Sequence, residues 1–353
     1  MKRKRTIEVN VGGCAIGGGN PVRVQSMTNT RTSDVKKTVA QIKSLEKLGC
    51  EIIRCAVPDE DSARALKEIK KKISIPLVAD IHFDYRLALL SMENGADKIR
   101  INPGNIGTKD RLNAVIDRAK KSNIPIRIGV NSGSIDREIL KKYPHPCPEA
   151  LVESVLKSLK IFEQKGFSNL VISVKSSSVT DTIKAYTLLS SKTDYPLHIG
   201  ITEAGTRFTG AVRSSVGLGV LLNNGIGDTL RVSLAGDPVW EVISGYEILK
   251  SLGLREKGAT MIVCPTCGRT EIPVEKIAEK IERMVQAIDK PIKIAVMGCV
   301  VNGPGEAKDA DIGIAGGKGK AVIFKKGKIL KTVKEGEALT EFKKELEKLI
   351  KEG

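Results

Sequence analysis

The sequence predicts an α/β protein in which a (β/α)8 barrel, the TIM-barrel fold, is followed by a smaller α+β domain. Short runs of β-branched residues alternate with amphipathic stretches about every thirty residues, which is the pattern of consecutive βα units. A glycine recurs just before the next strand, where a helix needs a left-handed residue to end. The pattern changes after Gly253. We therefore assign residues 1–254 to the barrel and residues 255–353 to the smaller domain.

Eight strands are predicted in the first domain, each followed by a helical pattern. They are residues 23–27, 51–57, 76–81, 98–102, 125–130, 169–174, 196–201 and 229–234. A closed barrel buries its strands on both faces, so they read as nearly continuous apolar runs. An open doubly wound sheet is the alternative, but the first strand–helix turn lacks the G-x-G-x-x-G pattern of a dinucleotide-binding sheet.

The smaller domain shows a different order of elements. We predict a strand at 261–264, a helix at 274–288, a strand at 292–296, a glycine-rich stretch to residue 319, a hairpin at 321–333 and a helix at 337–351. The linker before it, residues 255–260, is polar and contains a glycine.

Composition excludes several classes of protein. The chain has 58 Lys and Arg against 41 Asp and Glu, a net charge of +17, but only 3% aromatic residues and no concentrated basic segment, which argues against nucleic-acid binding. No run of eighteen apolar residues predicts a membrane span. The basic N-terminus is not followed by an apolar signal region, so we expect a cytoplasmic protein. Seven cysteines, an odd number, do not suggest a disulfide framework.

Three of the cysteines have the spacing of a metal site. Cys264 and Cys267 form a C-x-x-C pair, and Cys299 follows in a glycine-rich segment. Thiolates one tight turn apart reach one metal centre, and glycines let backbone N–H groups approach the sulfides of an iron–sulfur cluster. Glu306 is the nearest acidic candidate for a fourth ligand. Two alternatives stay open: a zinc site completed by an outside ligand, and a buried or disulfide-forming pair without metal.

Two segments surround the cysteines, Cys264-Pro-Thr-Cys267-Gly-Arg269 and Met297-Gly-Cys299-Val-Val-Asn-Gly-Pro-Gly-Glu306. They resemble the 4-hydroxy-3-methylbut-2-enyl diphosphate synthase (IspG or GcpE) family in its shorter bacterial two-domain form. The resemblance extends over the barrel through residues 24–27 (VQSM), 52–54 (IIR), 79–82 (ADIH), 99–105 (IRINPGN) and 201–205 (ITEAG).

The resemblance implies an oxidoreductase of the non-mevalonate isoprenoid pathway. Its substrate would be 2-C-methyl-D-erythritol 2,4-cyclodiphosphate, which is reductively opened with loss of water to 4-hydroxy-3-methylbut-2-enyl diphosphate. A 4Fe-4S cluster would be held by Cys264, Cys267, Cys299 and Glu306. Flavodoxin or ferredoxin would deliver two electrons. A carboxylate ligand gives way to a substrate oxygen more readily than a thiolate does.

A diphosphate needs several cations at one place, and polar residues near the predicted strand ends match the contacts that the resemblance implies. These residues are Arg54, Arg100, Arg127, Asn131, Lys175 and Ser233. Each of them alone is consistent with an ordinary ion pair at a barrel rim. Because the carboxyl ends of barrel strands meet at one mouth, their convergence predicts an anion pocket there.

Three more residues near strand ends are candidates for the same mouth. Asp80 lies in the third predicted strand and His82 directly follows it, and Glu203 follows the seventh. The resemblance implies that Glu203 does acid–base work on a substrate hydroxyl. The alternative for Glu203 is an ion pair with an arginine, and for His82 a structural hydrogen bond.

Chain geometry and the resemblance together predict a head-to-tail homodimer with shared active sites. The last barrel helix ends at the face opposite the mouth, and the six linker residues span at most about 20 Å. The cluster domain would therefore face the barrel mouth of a second subunit.

Two other functions compete with this one. The first is a redox-neutral lyase or aldolase that acts on a phosphosugar and carries a structural zinc domain. The second is a zinc-ribbon protein that binds nucleic acid. Both predict a colourless protein, whereas an iron–sulfur enzyme absorbs visible light.

Overall fold

The computed structural model describes residues 2–286, 288–299 and 307–351. The chain divides into two compact units, Met1–Arg255 and Glu256–Gly353. Each unit has a hydrophobic core of its own. No helix in the described ranges is long and apolar enough to cross a bilayer.

The chain begins with a short antiparallel hairpin, β1 (Val9–Val11) and β2 (Cys14–Ile16). Its apolar side chains pack against Ile52, Val78 and Val171, which come from three strands of the barrel. This hairpin was not predicted from the sequence, because strands of three residues are too short to show a period. The two glycines between the strands are the signal that marks the turn.

Eight parallel strands form the barrel, which confirms the predicted fold. They are β3 (Arg23–Met27), β4 (Ile52–Ala56), β5 (Leu77–Asp80), β6 (Lys98–Ile101), β7 (Ile126–Asn131), β8 (Leu170–Lys175), β9 (His198–Ile199) and β10 (Thr229–Leu230). The sheet runs in the order β8-β7-β6-β5-β4-β3-β10-β9. A parallel bridge between Ile172 and Leu197 links its two edges.

The last two strands are shorter than the sequence predicts. After β10 the chain leaves the hydrogen-bond ladder, and the backbone N–H of Leu234 donates to the Glu241 carboxylate instead. A side chain of the following helix therefore replaces a strand partner at the end of the barrel.

Helices cover the outside of the barrel and bury their apolar faces against the strands. They are α1 (Val35–Lys47), α2 (Glu60–Lys70), α3 (Tyr85–Glu93), α4 (Pro103–Ile106), α5 (Lys109–Ser122), α6 (Arg137–Leu140), α7 (Pro148–Gln164), α8 (Val179–Ser190), α9 (Arg207–Asn223) and α10 (Val239–Ser251). Asp34, Asp59, Asp84 and Ser178 accept backbone N–H groups at the starts of four of them. These caps satisfy amides that have no partner within a helix.

In its described residues, the second unit has a five-stranded mixed sheet and two α-helices. Its elements are β11 (Ala259–Val263), α11 (Val274–Val285), β12 (Ile292–Met297), β13 (Ile312–Gly317), β14 (Lys320–Lys325), β15 (Lys328–Lys334) and α12 (Ala338–Lys351). Strands β11, β12 and β13 are parallel, and β13, β14 and β15 are antiparallel.

One strand of this unit was not predicted from the sequence. The glycine-rich stretch before residue 319 contains β13, which pairs with two strands. A Cβ atom at Gly313 would lie 2.2 Å from the Phe324 ring, so the glycine is there because an aromatic side chain of β14 covers it. Glycine in this strand reflects close packing rather than a loop.

Candidate functional site

The predicted anion-binding residues converge inside the barrel. Strand pairing places Arg100 beside Arg127 and Asn131 beside Lys175. The side chains of Arg54, Arg100, Arg127 and Lys175 are all largely buried, and Arg127 is only 1% exposed. Side chains alternate between the two faces of a strand, so these positions face the barrel interior while their apolar neighbours face the helices.

A cavity of about 500 Å³ is lined by His82, Arg100, Asn131 and Glu203. Four of the residues predicted from the sequence are therefore brought together at one opening. Ser233 is half-buried in the segment after β10, and neither it nor Arg54, Arg127 or Lys175 is among the described residues that line this cavity.

Asp80 is the buried carboxylate among these cations. Its Oδ1 lies 3.2 Å from Arg100 and its Oδ2 lies 4.0 Å from Arg54. Burial by itself raises the pKa of Asp80, but Arg54 and Arg100 outweigh it and lower that pKa to about 2. The carboxylate is ionised at neutral pH and neutralises part of the positive charge.

We expect Asp80→Asn to destabilise the substrate-free protein by roughly 2–4 kcal/mol at pH 7, because the two arginines lose their buried counter-charge. The stabilisation from a depressed carboxyl pKa is present above the unfolded-state value and is lost as the pH falls toward 2. Chemical unfolding at pH 7 and pH 3 checks this, and the two proteins should differ less at pH 3, which lies between the unfolded-state and folded-state pKa values of the carboxyl group. Asp61→Asn, at an exposed position on α2, is the matched control. Equal stability of Asp80→Asn and the wild type would contradict the pairing.

The cations outnumber the buried carboxylates that face them. The Nε and Nη1 atoms of Arg127 are buried without a hydrogen-bond partner in the described residues. Burial, together with neighbouring cations, lowers the pKa of Lys175 and of Arg127 well below their ordinary values. Such a cluster is unfavourable until an anion arrives.

Two glycines leave room for these side chains. A Cβ atom at Gly129 would lie 2.7 Å from Nε of Arg100, and one at Gly200 would lie 2.6 Å from Nζ of Lys175. Any larger residue at these positions would displace a cation from the pocket. The glycines of β7 and of the segment after β9 are a sequence signal that the strand analysis did not use.

Glu203 has an unusual backbone conformation at the cavity. Its φ angle is +51°, in the left-handed region that glutamate rarely adopts. The carboxylate is exposed and forms no hydrogen bond or ion pair with any described residue. The structure therefore gives no support to the alternative that Glu203 is an ion-pair partner of an arginine. Backbone strain of this kind is often found at functional positions.

Two further residues that face the barrel interior, Arg231 and His198, were not predicted as site residues from the sequence. Arg231 is held by two hydrogen bonds to Glu241, at 3.0 and 2.8 Å, and also approaches Met27. His198 lies fully buried against Lys175. The alternation of polar and apolar residues in their strands was a signal that could have identified both.

The three cysteines of the predicted metal site lie at the ends of two adjacent parallel strands. Cys264 directly follows β11, and Cys299 follows β12 two residues after its last position. Together with Cys267 they line one cavity of about 300 Å³. The backbone N–H of Arg269 lowers the pKa of Cys267, which favours the thiolate that binds metal.

The donor set fits a soft metal centre such as an iron–sulfur cluster. Three thiols with glycine neighbours open onto one space, although no group of three His, Cys, Asp or Glu in the described residues is already arranged around a metal ion. Glu306, the predicted fourth ligand, lies outside the described residues. Burial raises the pKa of Cys50 to about 12 and of Cys55 to about 11, so these barrel thiols are poor ligands.

Both units match models of one protein family. Residues 6–246 match the GcpE TIM-barrel domain, and residues 260–348 match the GcpE protein C-terminal domain. The chain belongs to the GcpE family.

Relatives of this GcpE chain have a common name, 4-hydroxy-3-methylbut-2-en-1-yl diphosphate synthase (flavodoxin). The protein of Caldanaerobacter subterraneus subsp. tengcongensis is 63% identical over 99% of both chains. That of Clostridium tetani is 58% identical over 95% of this chain and 96% of the relative. That of Geobacillus kaustophilus is 54% identical over 100% of this chain and 94% of the relative.

Solved structures support the barrel fold of the GcpE chain. Dihydropteroate synthase of Stenotrophomonas maltophilia matches with a TM-score of 0.51 and 14% identity, over 70% of this chain and 98% of that one. The Yersinia pestis enzyme in a sulfonamide complex gives a TM-score of 0.51 and 11% identity, over 70% and 100%. At this identity the likeness concerns the fold alone.

Proposed function

We propose that this GcpE-family chain is an iron–sulfur oxidoreductase of the non-mevalonate isoprenoid pathway. It converts 2-C-methyl-D-erythritol 2,4-cyclodiphosphate to 4-hydroxy-3-methylbut-2-enyl diphosphate with two electrons from flavodoxin. The names of the relatives support the product and the electron donor. They give no support to a phosphosugar lyase with a structural zinc domain. The observation that carries the proposal is the group of buried barrel cations whose charge Asp80 neutralises only in part.

The barrel unit binds and orients the diphosphate. Arg54, Arg100 and Arg127 offer planar guanidinium groups, which bond two phosphate oxygens at once, and Lys175 offers a point charge. Asn131 at the cavity wall adds an amide donor. We also expect Ser233, Asp80 and His82 to lie near the bound substrate. Asp80 holds Arg54 and Arg100 in place through its ion pairs with them.

The second unit holds the redox centre in this proposal. Cys264, Cys267, Cys299 and Glu306 bind a 4Fe-4S cluster, which supplies electrons one at a time when it is bound. Substrate binding thus belongs to residues 1–254 and cluster binding to residues 255–353. The net charge of +17 suits an acidic flavodoxin or ferredoxin as the electron donor. A cytoplasmic location agrees with seven free cysteines.

Glu203 is our candidate for proton transfer to a substrate hydroxyl. Its carboxylate is exposed to the cavity and is not engaged by other described residues. We expect Glu203→Gln to lower kcat about a hundredfold or more and to change KM little, since a positioned acid or base contributes roughly 10²–10⁴ in rate. Steady-state kinetics with reduced flavodoxin checks this. The control is Glu60→Gln on α2, which is exposed and distant in sequence. An unchanged kcat in Glu203→Gln would remove Glu203 from the mechanism.

We further propose a head-to-tail homodimer whose active sites are shared between subunits. Arg255, the last residue of the barrel unit, contacts Glu51 at 3.1 Å and the backbone carbonyl of Val22 at 3.0 Å. Both partners directly precede barrel strands, so the chain leaves the barrel at the face opposite the mouth. A second subunit supplies a cluster to that mouth without a long connection.

Mixing two inactive variants tests the shared site. A heterodimer of Lys175→Ala and Cys299→Ser has one site in which an intact barrel faces an intact cluster. We expect it to recover up to about half of the wild-type activity, while both parent dimers stay inactive. Differently tagged chains allow the heterodimer to be purified before the assay. A purified heterodimer as inactive as its parents would place each site within one chain.

The function itself is tested on anaerobically purified protein. We expect about four iron atoms per chain, broad visible absorbance that dithionite bleaches, and conversion of the cyclic diphosphate by reduced flavodoxin. A colourless zinc protein, or a coloured protein that leaves the cyclic diphosphate unchanged, would refute the assignment.

A further inference from the structure

A histidine with no part in the mechanism above contacts Lys175 inside the barrel. His198 belongs to β9 and is fully buried. Its Nε2 lies 3.3 Å from Nζ of Lys175, and its Nδ1 lies 2.8 Å from Oγ1 of Thr229 on the next strand. The Tyr186 hydroxyl donates to the His198 backbone carbonyl at 2.6 Å, which fixes the backbone on which the ring stands.

The surroundings decide which ring nitrogen carries the proton. Burial, followed by the nearby charges of Arg127 and Lys175, lowers the pKa of His198 well below its ordinary value, so the ring is neutral. A neutral imidazole has one donor and one acceptor. Lys175 offers N–H donors in its charged form and in its neutral form, and the hydroxyl of Thr229 can accept. Nε2 therefore accepts from Lys175, and Nδ1–H donates to Thr229.

Lys175 is thus held by a neutral acceptor instead of a carboxylate. It forms no ion pair with any acidic residue in the described ranges. The charges that act on it most strongly are positive and come from Arg54, Arg100, Arg127 and Arg231. Gly200 leaves the space that its ammonium or amine group fills. One more positive charge among these arginines is unfavourable until an anion enters.

We propose that His198 is a positioning residue that holds Lys175 as a neutral amine in the empty pocket, and that the diphosphate anion binds together with one proton, which Lys175 takes up. The proton comes from solvent and forms an N–H bond at Nζ, and no electron moves. The inference rests on the proposed function only for the identity of the anion. Under this proposal, one proton is bound together with each anion. A pocket whose lysine is already charged would bind the anion without taking up a proton.

Calorimetric titration of the oxidised holoenzyme with the cyclic diphosphate tests the inference. Each phosphorus of this ligand carries one strongly acidic hydroxyl, so the ligand itself does not titrate near neutrality. Titrations at pH 7 in two buffers of different ionisation enthalpy count the protons exchanged. We expect uptake of about one proton per site. At pH values between the pKa of Lys175 in the free enzyme and its pKa in the complex, the affinity for the cyclic diphosphate should fall up to about tenfold for each unit of rising pH.

Variants at position 198 separate positioning from a merely structural role. His198→Glu places a carboxylate beside Nζ, so Lys175 is charged beforehand and proton uptake falls to near zero. His198→Gln keeps an acceptor and should keep the uptake. His198→Leu removes the acceptor and should raise KM about five- to tenfold with a smaller change in kcat. Lys175→Met should abolish the uptake, and His145→Leu, at an exposed loop position, is the matched control.

The outcomes distinguish this inference from the proposed function. Tight binding to the wild type without proton uptake overturns the inference and leaves the function standing. Continued uptake in Lys175→Met also overturns it, because another group then takes the proton. No binding of the cyclic diphosphate overturns the substrate assignment and the inference with it. If His198→Glu does not fold, the wild type and Lys175→Met decide the matter by themselves.

Discussion

Replacement of Cys264, Cys267 or Cys299 by serine is expected to abolish iron binding and turnover. These thiols line one cavity at the ends of two neighbouring strands, and a hydroxyl is a poor ligand for a soft iron–sulfur centre. Each variant should contain less than a tenth of the wild-type iron and show no detectable product. Iron analysis, visible absorbance and the flavodoxin-coupled assay measure the three consequences separately.

A matched cysteine variant controls for the loss of any thiol. Cys147 precedes α7 and makes no side-chain cap hydrogen bond there, so Cys147→Ser should leave iron content and activity unchanged. Glu306→Ala should weaken the cluster without abolishing it, because three thiolates remain. If Glu306→Ala and Glu306→Gln both bind iron and turn over like the wild type, the fourth ligand is a different group.

Arg127→Met is expected to stabilise the substrate-free protein and to damage substrate use. The Arg127 side chain is buried with two unpartnered nitrogen atoms among other cations. An apolar side chain of similar length removes that charge, so we expect a gain of about 1–3 kcal/mol in the free energy of unfolding. The loss of charge-assisted bonds to phosphate should lower kcat/KM by about one to two decades.

Anaerobic thermal unfolding and steady-state kinetics measure the two effects of Arg127→Met. Arg64→Met on α2 is the control, because Arg64 is 65% exposed and forms a surface ion pair with Glu60. It should change stability by no more than about 0.5 kcal/mol. A less stable Arg127→Met protein would show that Arg127 has a structural partner, and unchanged kinetics would show that it does not contact the substrate.

Arg127→Met is expected to raise the free energy of unfolding and Asp80→Asn to lower it, because the barrel interior holds more positive than negative charge. Removing a cation relieves repulsion inside the barrel, whereas removing the carboxylate increases it. Repulsion between the cations destabilises the substrate-free barrel, and a bound anion relieves that repulsion. The cations therefore lower the free energy of unfolding of the free protein but raise its affinity for the anion.

The cations inside the barrel were predictable because their pattern is local. Arg54, Arg100, Arg127 and Lys175 each lie at a regular position in a β-branched run, and the barrel rule sends such positions to one mouth. The cysteine spacing is also local. Strand β13 was not predicted because the role of its glycines depends on Phe324, a residue of another strand. The hairpin of β1 and β2 was missed because its strands are too short to show a period.

Sequence patterns alone were enough to predict the alternation of strands and helices, the residue types at the mouth and three thiols at ligand spacing. The charges of those groups depend on contacts that form only in the folded protein. The low pKa of Asp80, the neutral ring of His198 beside Lys175 and the unpartnered Arg127 all arise between strands that are far apart in the chain. Protonation states cannot be predicted from the sequence because burial and neighbouring charge set them. Both depend on which side chains the closed barrel brings within a few ångströms of each other.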